Sequence, residues 1–171
     1  MRASVDTTSG LLPFEINRVF NASLERVWKA WSDAEQLQHW WGPKGCSLEV
    51  PLLEFRPGGF CHFAMKFAGE RTTWGRFNYR EIVPRERIVW LNSFSNEGCG
   101  ITRAPFSELC PLEIENHVTF REHAGATTVV LRARPFGAAP EECQYFEEIR
   151  SSLEEGYGGT LEQLTSYLAR T

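Results

Sequence analysis

The sequence predicts an α+β domain: a curved antiparallel sheet of about seven strands, two short helices, and a long C-terminal helix over the concave face. Three observations lead there. Short segments with apolar residues at every second position, separated by Gly, Pro and charged turns, fill the middle of the chain. A Trp-rich stretch at helical spacing precedes them. A much longer helical pattern follows from Pro140 onward. The 171 residues suit one core, since single domains commonly hold about 100–200 residues.

The elements follow in order. Met1 to Leu12 holds one Arg and no long apolar run, so it reads as a flexible arm and not as a secretory signal. Residues 13–171 are then the domain. Phe14, Ile16 and Phe20 share one face of a first strand over 14–21. Ser23 is the expected N-cap of a helix carrying Leu24, Val27, Trp28 and Trp31. Ser32-Asp33-Ala34-Glu35 has the capping-box form and should open a second helix, ending near Trp41 because Gly42-Pro43 cannot continue it. Leu48, Val50 and Leu52 then alternate. Arg56-Pro57-Gly58-Gly59 turns the chain into a strand with Cys61, Phe63, Met65 and Phe67 in phase. Ala68-Gly69-Glu70 leads into a strand over 71–83, and Ile88, Trp90 and Phe94 mark the next over 86–94. Strands over 114–121 and 127–134 flank the turn His123-Ala124-Gly125-Ala126. Between these groups, Ser95 to Pro111 exceeds the roughly 12–15 residues usual for an unstructured loop. It reads as a surface insertion, with a lid as the alternative.

In the last helix Phe146, Ile149, Leu153, Tyr157, Leu161, Leu164 and Leu168 recur at steps of three and four, opposite Glu147, Glu154, Glu155 and Glu162. Pro140 suits its first turn. Gly156, Gly158 and Gly159 interrupt it, each costing roughly 1 kcal/mol relative to Ala. Either the helix lies close to the sheet there, or it kinks and leaves room beside Tyr157.

Composition narrows the function classes. Lys and Arg total 18 against 22 Asp and Glu, a net charge of −4 with no dense basic cluster. Neutralising nucleic-acid phosphates or an anionic membrane surface requires the opposite balance. No apolar stretch approaches the roughly 18 residues of a membrane span. The five cysteines at 46, 61, 99, 110 and 143 form no C-x-x-C pair. Their odd number fits reduced thiols in a cytoplasmic protein better than a disulfide framework. Cys61 and His62 are strand neighbours pointing to opposite faces, so they cannot ligate one metal. No metal and no cofactor is expected, and no nucleophile signature, Glu-x-x-His word or glycine-rich phosphate loop occurs.

A strongly bent sheet covered by one helix leaves a gap, and aromatic side chains are what small-molecule pockets use for walls. Phe63, Met65, Trp74, Phe77, Trp90, Phe146 and Tyr157 are the expected lining, with Arg76, Asn92 and His117 as candidate polar groups. The leading reading is a module that binds a small apolar molecule, aromatic or lipid-like; homodimerisation is compatible with it. A second is an enzyme of cyclase or hydrolase type using Arg76 or His117. A third is protein interaction, with a chaperone or otherwise, through an exposed Trp40-Trp41 anchor.

Specific words accompany this order of elements: Phe20-Asn21-Ala22-Ser23 leading into Val27-Trp28-Lys29-Ala30-Trp31-Ser32-Asp33, Trp40-Trp41-Gly42-Pro43, Arg56-Pro57-Gly58-Gly59, and Glu81-Ile82-Val83-Pro84 before Arg87-Ile88-Val89. Over about Phe14 to Leu168 the chain resembles the START-like (SRPBCC) superfamily, specifically the bacterial single-domain homologues of the heat-shock protein 90 ATPase activator. The resemblance implies a helix-grip fold with a cavity between sheet and long helix. Related members of that superfamily include lipid and hormone binders, polyketide cyclases and aromatic-ring oxygenase domains. The segment from Ser95 to Pro111 looks longer than is usual for the single-domain family.

Overall fold

A computed structural model describes residues 12–171; apart from Leu12, the expected N-terminal arm lies outside the described residues. The chain runs β1 (Phe14–Phe20), α1 (Leu24–Ser32), α2 (Ala34–Leu37), β2 (Ser47–Leu53), β3 (Phe60–Lys66), β4 (Thr73–Val83), β5 (Arg87–Ser95), β6 (Ile101–Thr102), β7 (Glu113–His123), β8 (Ala126–Phe136), α3 (Pro140–Glu148) and α4 (Arg150–Arg170). The strands form one antiparallel sheet in the order β1-β8-β7-β5-β4-β3-β2, with β6 paired to β5. This is the helix-grip α+β architecture that the periodicity predicts.

Register explains the two faces. Tyr79 pairs with Trp90, Trp90 with Asn116, Asn116 with Ala133 and Ala133 with Phe14. All five are buried, a row across the concave face. The next row runs Cys61, Phe77, Asn92 and Ile114. Residues one step along, such as Arg76, His117 and Arg132, belong to the convex face, because strand side chains alternate.

Local details depart from the sequence reading in three places. Ser23 caps α1 as expected, its hydroxyl accepting from the Arg26 N–H at 3.3 Å, and the Glu122 carboxylate accepts from the Leu24 N–H. Ser32, however, is the last residue of α1. The extended Asp33 both ends α1 and caps α2, accepting from the Glu35 N–H at 2.9 Å. The helix α2 stops at Leu37, short of Trp41. Secondly, the 95–111 segment contains β6, a strand the sequence did not signal. Its two residues are too few for a periodicity. Thirdly, the C-terminal helix is two helices broken at Ile149, whose φ of −97° and ψ of 15° leave the helical range.

The α1–α2 region folds against the concave face and fills half of it with rings. Trp31 lies 4.7 Å from Trp40, 5.9 Å from Trp90 and 5.8 Å from Phe120, centroid to centroid. Trp41 stands edge-on to Phe77 at 5.0 Å. Trp40 is 1% exposed and its indole N–H donates to the Ala30 carbonyl at 3.0 Å. The exposed Trp40-Trp41 anchor is therefore corrected: the turn after Leu37 sends both indoles inward, and the interaction reading loses its motive.

Candidate functional site

Beyond Trp41 the concave side is open. A cavity of about 280 Å3 lies between the sheet and α4. Trp41, Gly42 and Pro43 close one end. Phe63, Met65, Gly75, Asn92, Phe94 and Ile114 form the floor from four neighbouring strands, and Leu153, Gly156, Tyr157 and Thr160 form the roof. Cys110, Pro111 and Leu112 complete the wall. The 95–111 segment thus combines a surface insertion with a cavity wall. Arg103 holds that wall to α3, donating to the Glu142 carboxylate at 2.7 Å and to the Cys110 carbonyl at 3.3 Å.

Three positions show how the sequence builds this space. Gly75 is needed because the Phe63 ring lies flat over its α-carbon, where a Cβ would overlap it. Thr160 ties the roof to the end wall, its hydroxyl donating to the Gly42 carbonyl at 3.1 Å. The Tyr157 ring stacks on Phe14 at 5.5 Å, and its hydroxyl donates to Asn116 Oδ1 at 2.8 Å. Asn116 has no exposed surface, and its Nδ2 donates to the Ile114 carbonyl at 3.2 Å. Burial pushes the Tyr157 phenol well above its ordinary range, with the Asn116 hydrogen bond opposing. The Cys110 thiol is also raised by burial, Glu142 adding to the effect and Arg103 opposing it. Neither group ionises near neutral pH, and no described residue lining the cavity is charged.

Of the expected lining, Phe63, Met65, Tyr157 and Asn92 border the cavity. Phe77 and Trp90 face the same side but belong to the ring cluster behind Trp41, their centroids 5.1 Å apart. Trp74 points the other way and stacks on His62 at 4.7 Å. It sits three residues from Phe77 on β4, so the two could not share a face. Phe146 is buried in the core where α3 leaves the line of α4. Arg76 is on the convex face, its guanidinium 4.3 Å over the Phe60 ring and donating to the Cys99 carbonyl at 2.8 Å. His117 is also on the convex face, in a separate depression with Pro13, Glu115, Arg132 and Arg134. The enzymatic reading built on Arg76 and His117 thereby loses both groups. Sequence reasoning missed Asn116, although its step of two from Ile114 and Val118 on β7 signalled an inward polar residue. It also missed Cys110 and Pro111, because no periodicity places a loop in space.

Residues 21–169 match the family model described as Activator of Hsp90 ATPase homolog 1-like protein. The chain belongs to this family. Solved structures agree in fold. An Arthrobacter aurescens protein is 25% identical, with 94% of this chain and 87% of that one covered at a TM-score of 0.77. The Mycobacterium smegmatis protein Ms6760 is 24% identical over 92% and 90%, at 0.72. The AHSA1 protein of Silicibacter pomeroyi is 22% identical over 92% and 98%, at 0.64. No curated protein matches the sequence. Among the described residues no helix is long and apolar enough to cross a membrane, and no acidic, His or Cys cluster could hold a metal.

Proposed function

We propose that this family member is a cytoplasmic module that binds a small apolar molecule, aromatic or lipid-like, between its sheet and α4. The carrying observation is the partly filled concave face: the indole cluster ends at Trp41, and the space beyond it, walled by Phe63, Phe94 and Tyr157, stays open and uncharged. Its volume is near the lower end of the ~300–1,000 Å3 common for ligand pockets. That is room for about nine waters at roughly 30 Å3 each, or for a molecule of one or two rings. No disulfide joins the cysteines among the described residues, which fits a reducing compartment.

Gentle-ionisation mass spectrometry of freshly purified protein tests the reading by searching for a retained molecule. A thermal-shift panel of lipids, flavonoids and polyketides then ranks candidates. A ligand at about 100 times its dissociation constant stabilises the fold by about 2.7 kcal/mol. A panel without any responder, together with an empty mass spectrum, would overturn the proposal.

A further inference from the structure

The polar groups of the cavity restrict the chemistry of its occupant, and this inference rests on the binding reading above. We propose that the ligand is electrically neutral, apolar over most of its surface, and presents one hydroxyl or amide between Asn92 and the Tyr157–Asn116 pair. Asn92 pairs with Ile114 across β5 and β7, and Asn116 lies two residues further along β7 on the same face. Such diagonal neighbours sit about 7–8 Å apart, so one small polar function reaches both. The Tyr157 hydroxyl spends its only proton on Asn116 and keeps an acceptor lone pair. The Asn92 carboxamide borders the cavity and has no side-chain partner among the described residues, so it offers both donors and an acceptor. A hydroxyl, or an amide with its N–H and carbonyl, can donate to the Tyr157 oxygen while accepting from the Asn92 amide. A hydrocarbon offers these groups no hydrogen bond in place of water.

Charge is excluded on separate grounds. A carboxylate or ammonium removed from water needs an opposite charge to offset the loss of hydration, and no lining residue supplies one. The cations next to the lining are already engaged, Lys44 with Glu162 at 3.2 Å and Arg103 with Glu142 at 2.7 Å. The competing account, that Tyr157 and Asn116 only tie α4 to the sheet, gives Asn92 no part.

Titration calorimetry and nitrogen-15 correlation spectra on the whole chain at neutral pH test this with three probes of one skeleton: naphthalene, naphthol and naphthoate. Naphthol is expected to bind at least about fivefold tighter than naphthalene, the worth of one neutral hydrogen bond. Naphthoate is expected to bind at least about tenfold more weakly than naphthol, because its charge finds no partner. Naphthol should shift the Asn92 side-chain amide signals further than naphthalene, whose ring current acts without a hydrogen bond, and Asn92→Leu should bring the two affinities together. Equal binding of naphthalene and naphthol by the native chain, or tightest binding of naphthoate, overturns the inference and leaves the binding reading standing. Binding of none of the three overturns the inference as well, and together with a silent thermal-shift panel and an empty mass spectrum it overturns the binding reading itself.

Discussion

A single missing methyl group at Gly75 sets how much space the cavity has. Gly75→Ala forces the Phe63 ring off its present position, and the cavity is the free direction. The substitution should cost about 1–3 kcal/mol, as overpacking does, and lower ligand affinity more than a surface change of equal size. Denaturant unfolding and calorimetry measure the two effects separately. Tyr157→Phe removes the donor from a fully buried Asn116 oxygen. An unpaired buried acceptor costs about 1–3 kcal/mol, to be read as a fall in the urea midpoint with unchanged slope. His117 gives a pH signature. Desolvation, followed by Arg87 and Arg132, lowers its folded pKa from the ordinary 6.5, with Glu115 and Glu81 opposing. A depressed folded pKa means that the unfolded chain binds the proton more readily. The associated stability is therefore complete above about 6.5 and is lost as pH falls through the folded value. Stability curves of His117→Gln should be flatter than those of the native chain below that pH; parallel curves would sink the assignment.

At the scale of elements, α4 carries three glycines where it roofs the cavity. It runs unbroken through Gly156, Gly158 and Gly159, and the break lies earlier, at Ile149. A Cβ would meet no neighbouring atom within 4 Å at Gly156 or Gly159, and at Gly158 only Arg18 at 3.5 Å and Ile16 at 3.8 Å. Neither a kink nor a forced close approach accounts for the three glycines. Their effect is to weaken the helix beside the opening. Gly159→Ala should raise stability by about 1 kcal/mol, or roughly 2–4 °C in Tm for a chain of this length. Replacing all three should also slow amide exchange across residues 154–161. These glycines were visible in the sequence, but their neighbours were not, because helix-to-sheet distance depends on the whole roof. The strands were legible for the opposite reason: alternation such as Cys61, Phe63 and Met65 is local and fixes a face directly. The same alternation puts Trp74 and Phe77, three residues apart on β4, on opposite faces whatever their aromatic character.

For the molecule as a whole, architecture could be read in advance while the division of its interior could not. Alternation and the Phe146-to-Leu168 pattern specify a sheet under a helix. Nothing in those periods says that Trp31, Trp40 and Trp90 would plug one half of the hollow while the half next to Leu153 stays empty. That partition depends on the turn after Leu37 and on the insertion's Cys110 and Pro111, both outside any regular period. Trp41 is the boundary between the two halves: one side of its ring touches the cluster of indoles and the other side faces the cavity. Five of the six indoles are thus shielded from any guest by position, and this one is not. The protein consequently carries its own optical gauge, because the emission of Trp41 should respond to any guest that settles against its ring.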